Sequence, residues 1–259
     1  MPYENISGLI NLEAEAKYKI AIVGPPGVGK SWLAYSFPGS IFAYDFDTRE
    51  ESLKEYCKKF KRTDIEGKKY FDLNPNAPVA MAEMEKDIAM FEYLATQNKP
   101  IPETHLIDSM SYMRPAMEHE IIRQQPTFAR KVKINTSIVN VPSGWDVING
   151  VTAYTEYIVG RLSALGNVIM VFHEIDEGDR TKSTKEQKAY TGMKTIKPQY
   201  LSGILSLFDH VFRVKIDYAS QRKVQCQPDS DFITKTSMKL DAEELPDLAA
   251  MIAKHKSKS

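Results

Sequence analysis

Short apolar runs alternate with amphipathic stretches along most of this chain. Tyr18 to Val23 (YKIAIV) is an apolar run that stops at a glycine, the pattern of a strand buried on both faces. Ser40 to Asp47 (SIFAYDFD), His105 to Asp108 (HLID) and Asn167 to Phe172 (NVIMVF) read the same way. Between these runs apolar residues recur at helical spacing. Met84, Ile88, Phe91 and Ala95 form one stripe; Met110, Met113, Met117 and Ile121 form a second; Val147, Val151, Tyr154, Ile158 and Leu162 form a third. The methionine-rich stripes read as core packing rather than a soft peptide groove, because each is one face of a helix beside a strand. Strand and helix in alternation predict an α/β fold, a mainly parallel sheet flanked by helices. After Phe208 the pattern changes: His210 to Tyr218 and Arg222 to Gln227 read as an antiparallel hairpin. A short helix over about 246–253 and a basic tail (Lys254, Lys256, Lys258), expected to fray into solvent, end the chain. Residues 1–17 read as an N-terminal segment, 18–235 as the core and 236–259 as the C-terminal helix and tail. Gln124 to Gly144 and Glu174 to Gln199 are polar and poorly periodic and resist assignment; loops this long in a compact domain are usually functional or disordered.

Composition narrows this little. The 259 residues, 42% hydrophobic and 26% charged, suit one large domain or two small ones. No apolar run approaches the roughly 18 residues that span a bilayer, so no membrane is expected. Met1 to Ala16 carries Glu4, Glu13 and Glu15 without a basic start, unlike a secretory signal. Two cysteines, Cys57 and Cys226, supply neither a disulfide framework nor a four-ligand zinc site. Both features lead us to expect a cytoplasmic protein. With 34 basic and 34 acidic residues the net charge is zero, so any nucleic-acid surface must be local.

The sharpest chemical signal is Gly24-Pro25-Pro26-Gly27-Val28-Gly29-Lys30-Ser31, which fits G-x-x-x-x-G-K-[ST]. That pattern arises by accident on the order of once per hundred chains of this length. Here it follows a strand and precedes an apolar segment beginning at Trp32, the context that a phosphate loop requires. Glycines let the backbone curl so that successive N–H groups face phosphates. Lys30 is placed to reach the β- and γ-phosphates, and the Ser31 hydroxyl to ligate Mg²⁺. Asp108, ending an apolar strand, is the expected second holder of the metal shell, although Asp108 or Ser109 could equally cap a helix. For orienting water the candidates are Asp47 and then Glu50, with a surface role at a helix start as the alternative. His173 follows the fourth expected strand directly; a lone histidine is usually structural, but one at the carboxyl end of such a strand faces the ligand crevice and could contact the γ-phosphate.

These segments together resemble a RecA-like ATPase, and more narrowly the phage-encoded RecA-like single-strand annealing proteins of the Sak group, P-loop ATP-binding proteins of AAA type. The resemblance runs from about Tyr18 to Val214. It rests on GPPGVGKS, IFAYDFD, HLIDS, VIMVFHE and FDHVFRV. It implies a RecA-like P-loop NTPase fold that binds ATP and Mg²⁺, with Lys30 and Ser31 in the loop roles and Asp108 in the second nucleotide motif. Ser109 stands where AAA+ motors usually have glutamate. Asp47 stands where RecA-type proteins often have a catalytic glutamate, and the shorter side chain implies slow hydrolysis. His173 matches a switch position often held by glutamine. Arg161, Arg180 and Lys194 are candidate trans-acting cations.

In RecA-like proteins the loops after the third and fourth core strands face DNA. Here the first carries Phe128, Arg130, Lys131 and Lys133, together with Arg123. The second carries Arg180, Lys182, Lys185, Lys188, Tyr190, Lys194 and Lys197 against Glu186 alone. Cations beside aromatics suit backbone neutralisation plus stacking of unpaired bases; solvated loops or a protein-binding surface are the alternatives. The resemblance therefore implies a DNA-stimulated ATPase that binds single-stranded DNA and promotes annealing or strand exchange in a host-cell cytoplasm. It would work beside a single-stranded-DNA-binding protein and assemble as a homo-oligomer. Two rivals remain: a nucleotide-gated adaptor or loader for a replication protein, and a P-loop kinase of a small molecule.

Overall fold

The computed structural model describes residues 17–47, 50–74, 77–134, 137–142, 145–174, 203–229, 232 and 234–258. Its centre is an eight-stranded sheet. In chain order the strands are β1 (Lys19–Gly24), β2 (Ile41–Asp45), β3 (Ile65–Lys69), β4 (Thr104–Asp108), β7 (Asn167–His173), β8 (His210–Ile216), β9 (Arg222–Gln225) and β10 (Glu243–Glu244). Across the sheet they run β10-β9-β8-β1-β7-β4-β2-β3. From β8 to β3 every pairing is parallel, while β9 and β10 add on antiparallel. This is the α/β architecture expected from the pattern, hairpin included.

Helices cover both faces. Successive strand residues point to opposite sides, so β1 sends Ala21 and Val23 into one core and Ile20 and Ile22 into the other. The first core is closed by α3 (Ala80–Thr96), α4 (Met110–Gln124) and α5 (Trp145–Leu165), whose buried faces are the stripes read from sequence. The second is closed by α1 (Lys30–Tyr35), α2 (Glu50–Phe60) and α6 (Leu248–Ser257). The Asp247 carboxylate accepts from the Ala250 N–H to cap α6. At its other end Lys254 pairs with Asp241 and Glu244, both at 2.6 Å. The helix therefore runs on to Ser257 where a frayed tail was expected.

Two further elements depart from the sequence reading. β3 carries the sequence IEGKK and has no apolar alternation; it forms because it is an edge strand needing only one partner, β2. The stretch 124–144, expected as a loop, instead forms a 3₁₀ turn (Pro126–Phe128) and a separate two-stranded antiparallel ribbon of β5 (Ala129–Ile134) and β6 (Ser137–Pro142). Its pairing Arg130↔Val141, Lys131↔Asn140, Lys133↔Ile138 places the three cations along one strand. Among the described residues no helix is long and apolar enough to cross a membrane.

Candidate functional site

The strand ends at Gly24, Asp45, Asp108 and His173 share one edge of the parallel sheet, since these strands run the same way. At that edge the chain leaves β1 and curls. Gly27 and Gly29 take φ of +78° and +95°, left-handed backbone that side chains disfavour. Gly24 must be glycine for another reason: a Cβ there would lie 2.4 Å from the Val214 carbonyl oxygen of β8. Val28 is buried and pins the loop to the second core. Inside the curl Lys30, only 4% exposed, donates from Nζ to the Pro25 carbonyl at 2.7 Å. Pro26 lies exposed on the outside.

Above the loop lies a cleft of about 380 Å³ lined by Gly27, Gly29, Lys30, Ser31, Trp32, Asp47, Ser52, Glu55, His173 and Arg222. A larger hollow, about 480 Å³, lies away from these groups, between Tyr18, Phe37, Glu103 and Asn167. It gathers no comparable set of functional groups, which makes the smaller cleft the candidate site.

Asp108 sits beneath the cleft and accepts from the Ser31 hydroxyl; burial, with some repulsion from Asp47 and Asp45, pushes its carboxyl up to about 6, against that bond and His173. Asp45 accepts the Asp47 N–H on its own Oδ1 at 2.9 Å, which turns the chain at the end of β2. The Asp108 carbonyl also accepts the Phe46 and Asp47 N–H groups, at 2.7 and 3.3 Å. Asp47 is thus held by its backbone and faces His173, with Oδ2 3.6 Å from Nε2. That Nε2 is buried and has no hydrogen-bond partner among the described residues. The His173 N–H donates to Ser111 Oγ at 3.0 Å, and the Tyr112 ring meets its imidazole edge-on.

Several expected residues are elsewhere. Glu50 is not among the cleft residues. It pairs with Lys54 and Lys69, both at 2.9 Å, and these two ammonium groups lower its carboxyl to about 2. Arg161 forks onto Glu92 at 2.7 and 2.6 Å, joining α5 to α3. Arg123 is held by Glu120 on its own helix. Of the first basic stretch, Lys131 is exposed and Phe128 half-buried. Arg180, Lys182, Lys185, Lys188, Tyr190 and Lys194 lie outside the described residues. Sequence reasoning missed Ser52, Glu55 and Arg222. The first two had no motif to mark them, and Arg222 reaches the loop only through the sheet.

A family model described as an AAA domain matches residues 16–238. The chain belongs to the AAA domain family. It is thereby an AAA-type P-loop NTPase, a broader class than the phage recombinases its motifs resemble. No curated protein matches it. Among solved structures it resembles an ATPase from the type III secretion system of pathogenic bacteria, at 13% identity and a TM-score of 0.44, over 78% of this chain and 53% of that one. It also resembles an ATP synthase subunit from Nanoarcheaum equitans, at 14% identity and a TM-score of 0.43, over 76% of this chain and 45% of that one. The chain spans about half the length of these two structures.

The residues of this AAA domain fit a magnesium–triphosphate. His173, with its unpartnered Nε2, and Lys30 line a cleft of suitable size. The Ser31 hydroxyl and Asp108 carboxylate are hard oxygen donors of the kind Mg²⁺ takes. Among the described residues no cluster of three or more His, Cys, Asp or Glu could hold a metal alone. Ser31 and Asp108 would hold a magnesium here, and it would supply charge neutralisation to a bound polyphosphate.

Proposed function

We propose that this protein binds ATP with Mg²⁺ in the cleft above Gly24–Ser31, hydrolyses it slowly, and uses occupancy of that cleft to control binding of single-stranded DNA, promoting annealing or strand exchange. One observation carries the reading: the loop, Lys30, Ser31, Asp108, Asp47 and His173 converge on one cleft although they come from four separate strand ends. Lys30 holds the β- and γ-phosphates, leaving the Pro25 carbonyl for a charged partner. Ser31 and Asp108 hold the magnesium, which supplies charge neutralisation of the phosphate oxygens. Asp47 orients the attacking water, and His173 offers its unpartnered Nε2 to the γ-phosphate. Asp47 is a short base already facing an imidazole 3.6 Å away, which favours slow turnover.

Communication with DNA has two routes. The first runs from Asp108 through α4 to the ribbon bearing Arg130, Lys131 and Lys133. The second runs from His173 to Glu174, whose N–H donates to the Gly24 carbonyl at 2.8 Å. The Glu174 carboxylate takes a two-pronged bond from Arg213 at 3.1 and 2.6 Å, and the next residues lead into the second basic stretch.

An ATPase assay with and without single-stranded DNA, beside filter binding at low salt, tests this reading. We expect slow turnover stimulated by DNA, and DNA retention that depends on ATP. No DNA retention in either nucleotide state would remove the recombination function and leave the nucleotide-gated adaptor.

A further inference from the structure

Arg222 is the one arginine of its kind among the described side chains. Five others each hold a carboxylate: Arg62 with Asp64, Arg114 with Glu118, Arg123 with Glu120, Arg161 with Glu92 and Arg213 with Glu174. Arg222 is exposed, lines the cleft, and forms no ion pair among the described residues. The cleft's carboxylates, Asp47 and Glu55, do not neutralise it. Its placement is not incidental to a mobile tip. Ile216 pairs with Arg222 across the hairpin, β10 backs β9, and β8 is fastened along β1 as far as Val23↔Arg213.

The hairpin presses on the loop at two glycines. Gly24 leaves room for the Val214 carbonyl, and Gly29 faces Arg222: a Cβ there would lie 3.4 Å from both Cδ and Nε and 3.8 Å from Cζ. The guanidinium therefore lies against the backbone of the residue just before Lys30. Sheet order fixes the side from which it comes. β9 and β8 lie on one flank of β1, while His173, Asp108 and Asp47 belong to β7, β4 and the end of β2 on the other. A guanidinium is a planar fork of donors that matches phosphate oxygens.

We infer that Arg222 is a phosphate-binding residue acting within its own chain, gripping the polyphosphate from the flank opposite the Ser31–Asp108 metal side. This rests on the nucleotide reading above. It gives the site a second fixed cation beside Lys30 without recourse to a neighbouring subunit.

The test uses the full chain and its Arg222→Ala, Arg222→Gln and Arg222→Lys variants. Calorimetry gives the Kd for Mg-ATP, and displacement of a fluorescent ATP analogue gives the Kd for inorganic tripolyphosphate. An exposed side chain on a backbone-paired strand leaves folding intact, which thermal melts of all variants check. We expect Arg222→Ala and Arg222→Gln to weaken both ligands about tenfold or more, and Arg222→Lys to recover part of the loss. Unchanged affinities in both neutral variants would overturn the assignment. Loss of ATP affinity with tripolyphosphate unaffected would also overturn it, by moving the contact to the base or ribose. If the wild-type chain bound neither ligand, the nucleotide reading itself would fall, a result distinct from the other two.

Discussion

Removing the Asp108 charge should make the metal-free protein more stable while disabling it. Asp108 ends a strand whose five residues are all buried, and its carboxyl is raised from 3.8 to about 6, chiefly by burial. That rise corresponds to about 3 kcal/mol between the protonated and ionised forms. Because the folded value lies above the unfolded one, unfolding releases a proton from this site between pH 3.8 and 6. Stability from the protonated group is therefore full below 3.8 and is lost as pH rises through 6. Asp108→Asn keeps an acceptor for the Ser31 hydroxyl and removes the titration. Urea unfolding of both proteins at pH 5 and pH 8 in metal-free buffer should show the variant's advantage growing by roughly 1 to 2 kcal/mol across that interval. Taking the difference between the two proteins cancels His105 and His210. Burial pushes both of those imidazoles down to about 4, so they weaken the fold in the opposite sense as pH falls from 6.5. Mg-ATP at a hundred times its Kd should then stabilise the wild type by about 2.7 kcal/mol and leave Asp108→Asn nearly unmoved. A difference that stayed flat from pH 5 to 8 would refute the buried carboxylate. Equal stabilisation by Mg-ATP would refute the metal role.

Three further perturbations test the phosphate loop, its contact with β8 and the ribbon. Lys30→Ala should lower ATP turnover by about a hundredfold, measured by phosphate release, because the phosphates lose a preorganised charge; unchanged turnover would end the phosphate-loop assignment. Gly24→Ala should cost about 2 kcal/mol or more in urea unfolding, since its Cβ would meet the Val214 carbonyl at 2.4 Å and backbone must move. A loss under about 0.5 kcal/mol would show that β8 does not press on the loop as described. Lys131→Glu in the ribbon should flatten the plot of log affinity for single-stranded DNA against log salt by about 0.7, one phosphate contact. An unaltered slope would take the ribbon off the DNA path.

Much of this protein was legible in the order of its residues. Local patterns fixed the buried strands and the core faces of α3, α4 and α5, because a continuous apolar run or a 3.6-residue stripe is how a segment advertises what it will bury. Gly24 to Ser31 was equally legible, since a phosphate loop is a local backbone device whose glycines and lysine lie within eight residues. Asp108 and His173 were legible as strand-end residues, but their company was not. Which strand lies beside which is set by long-range pairing, and only the order β8-β1-β7-β4-β2 brings those ends to one cleft. Edge strand β3 and ribbon β5–β6 were missed for a related reason: an edge or a two-stranded ribbon is held by backbone bonds and needs no apolar alternation. Glu50 was attractive beside Asp47, but sequence distance cannot show that it pairs with Lys54 and Lys69. Arg222 lies far along the chain from Gly29, and no local rule links them. Local energetics decided what each segment is; the hydrogen-bonded register of the sheet decided which side chains share a site.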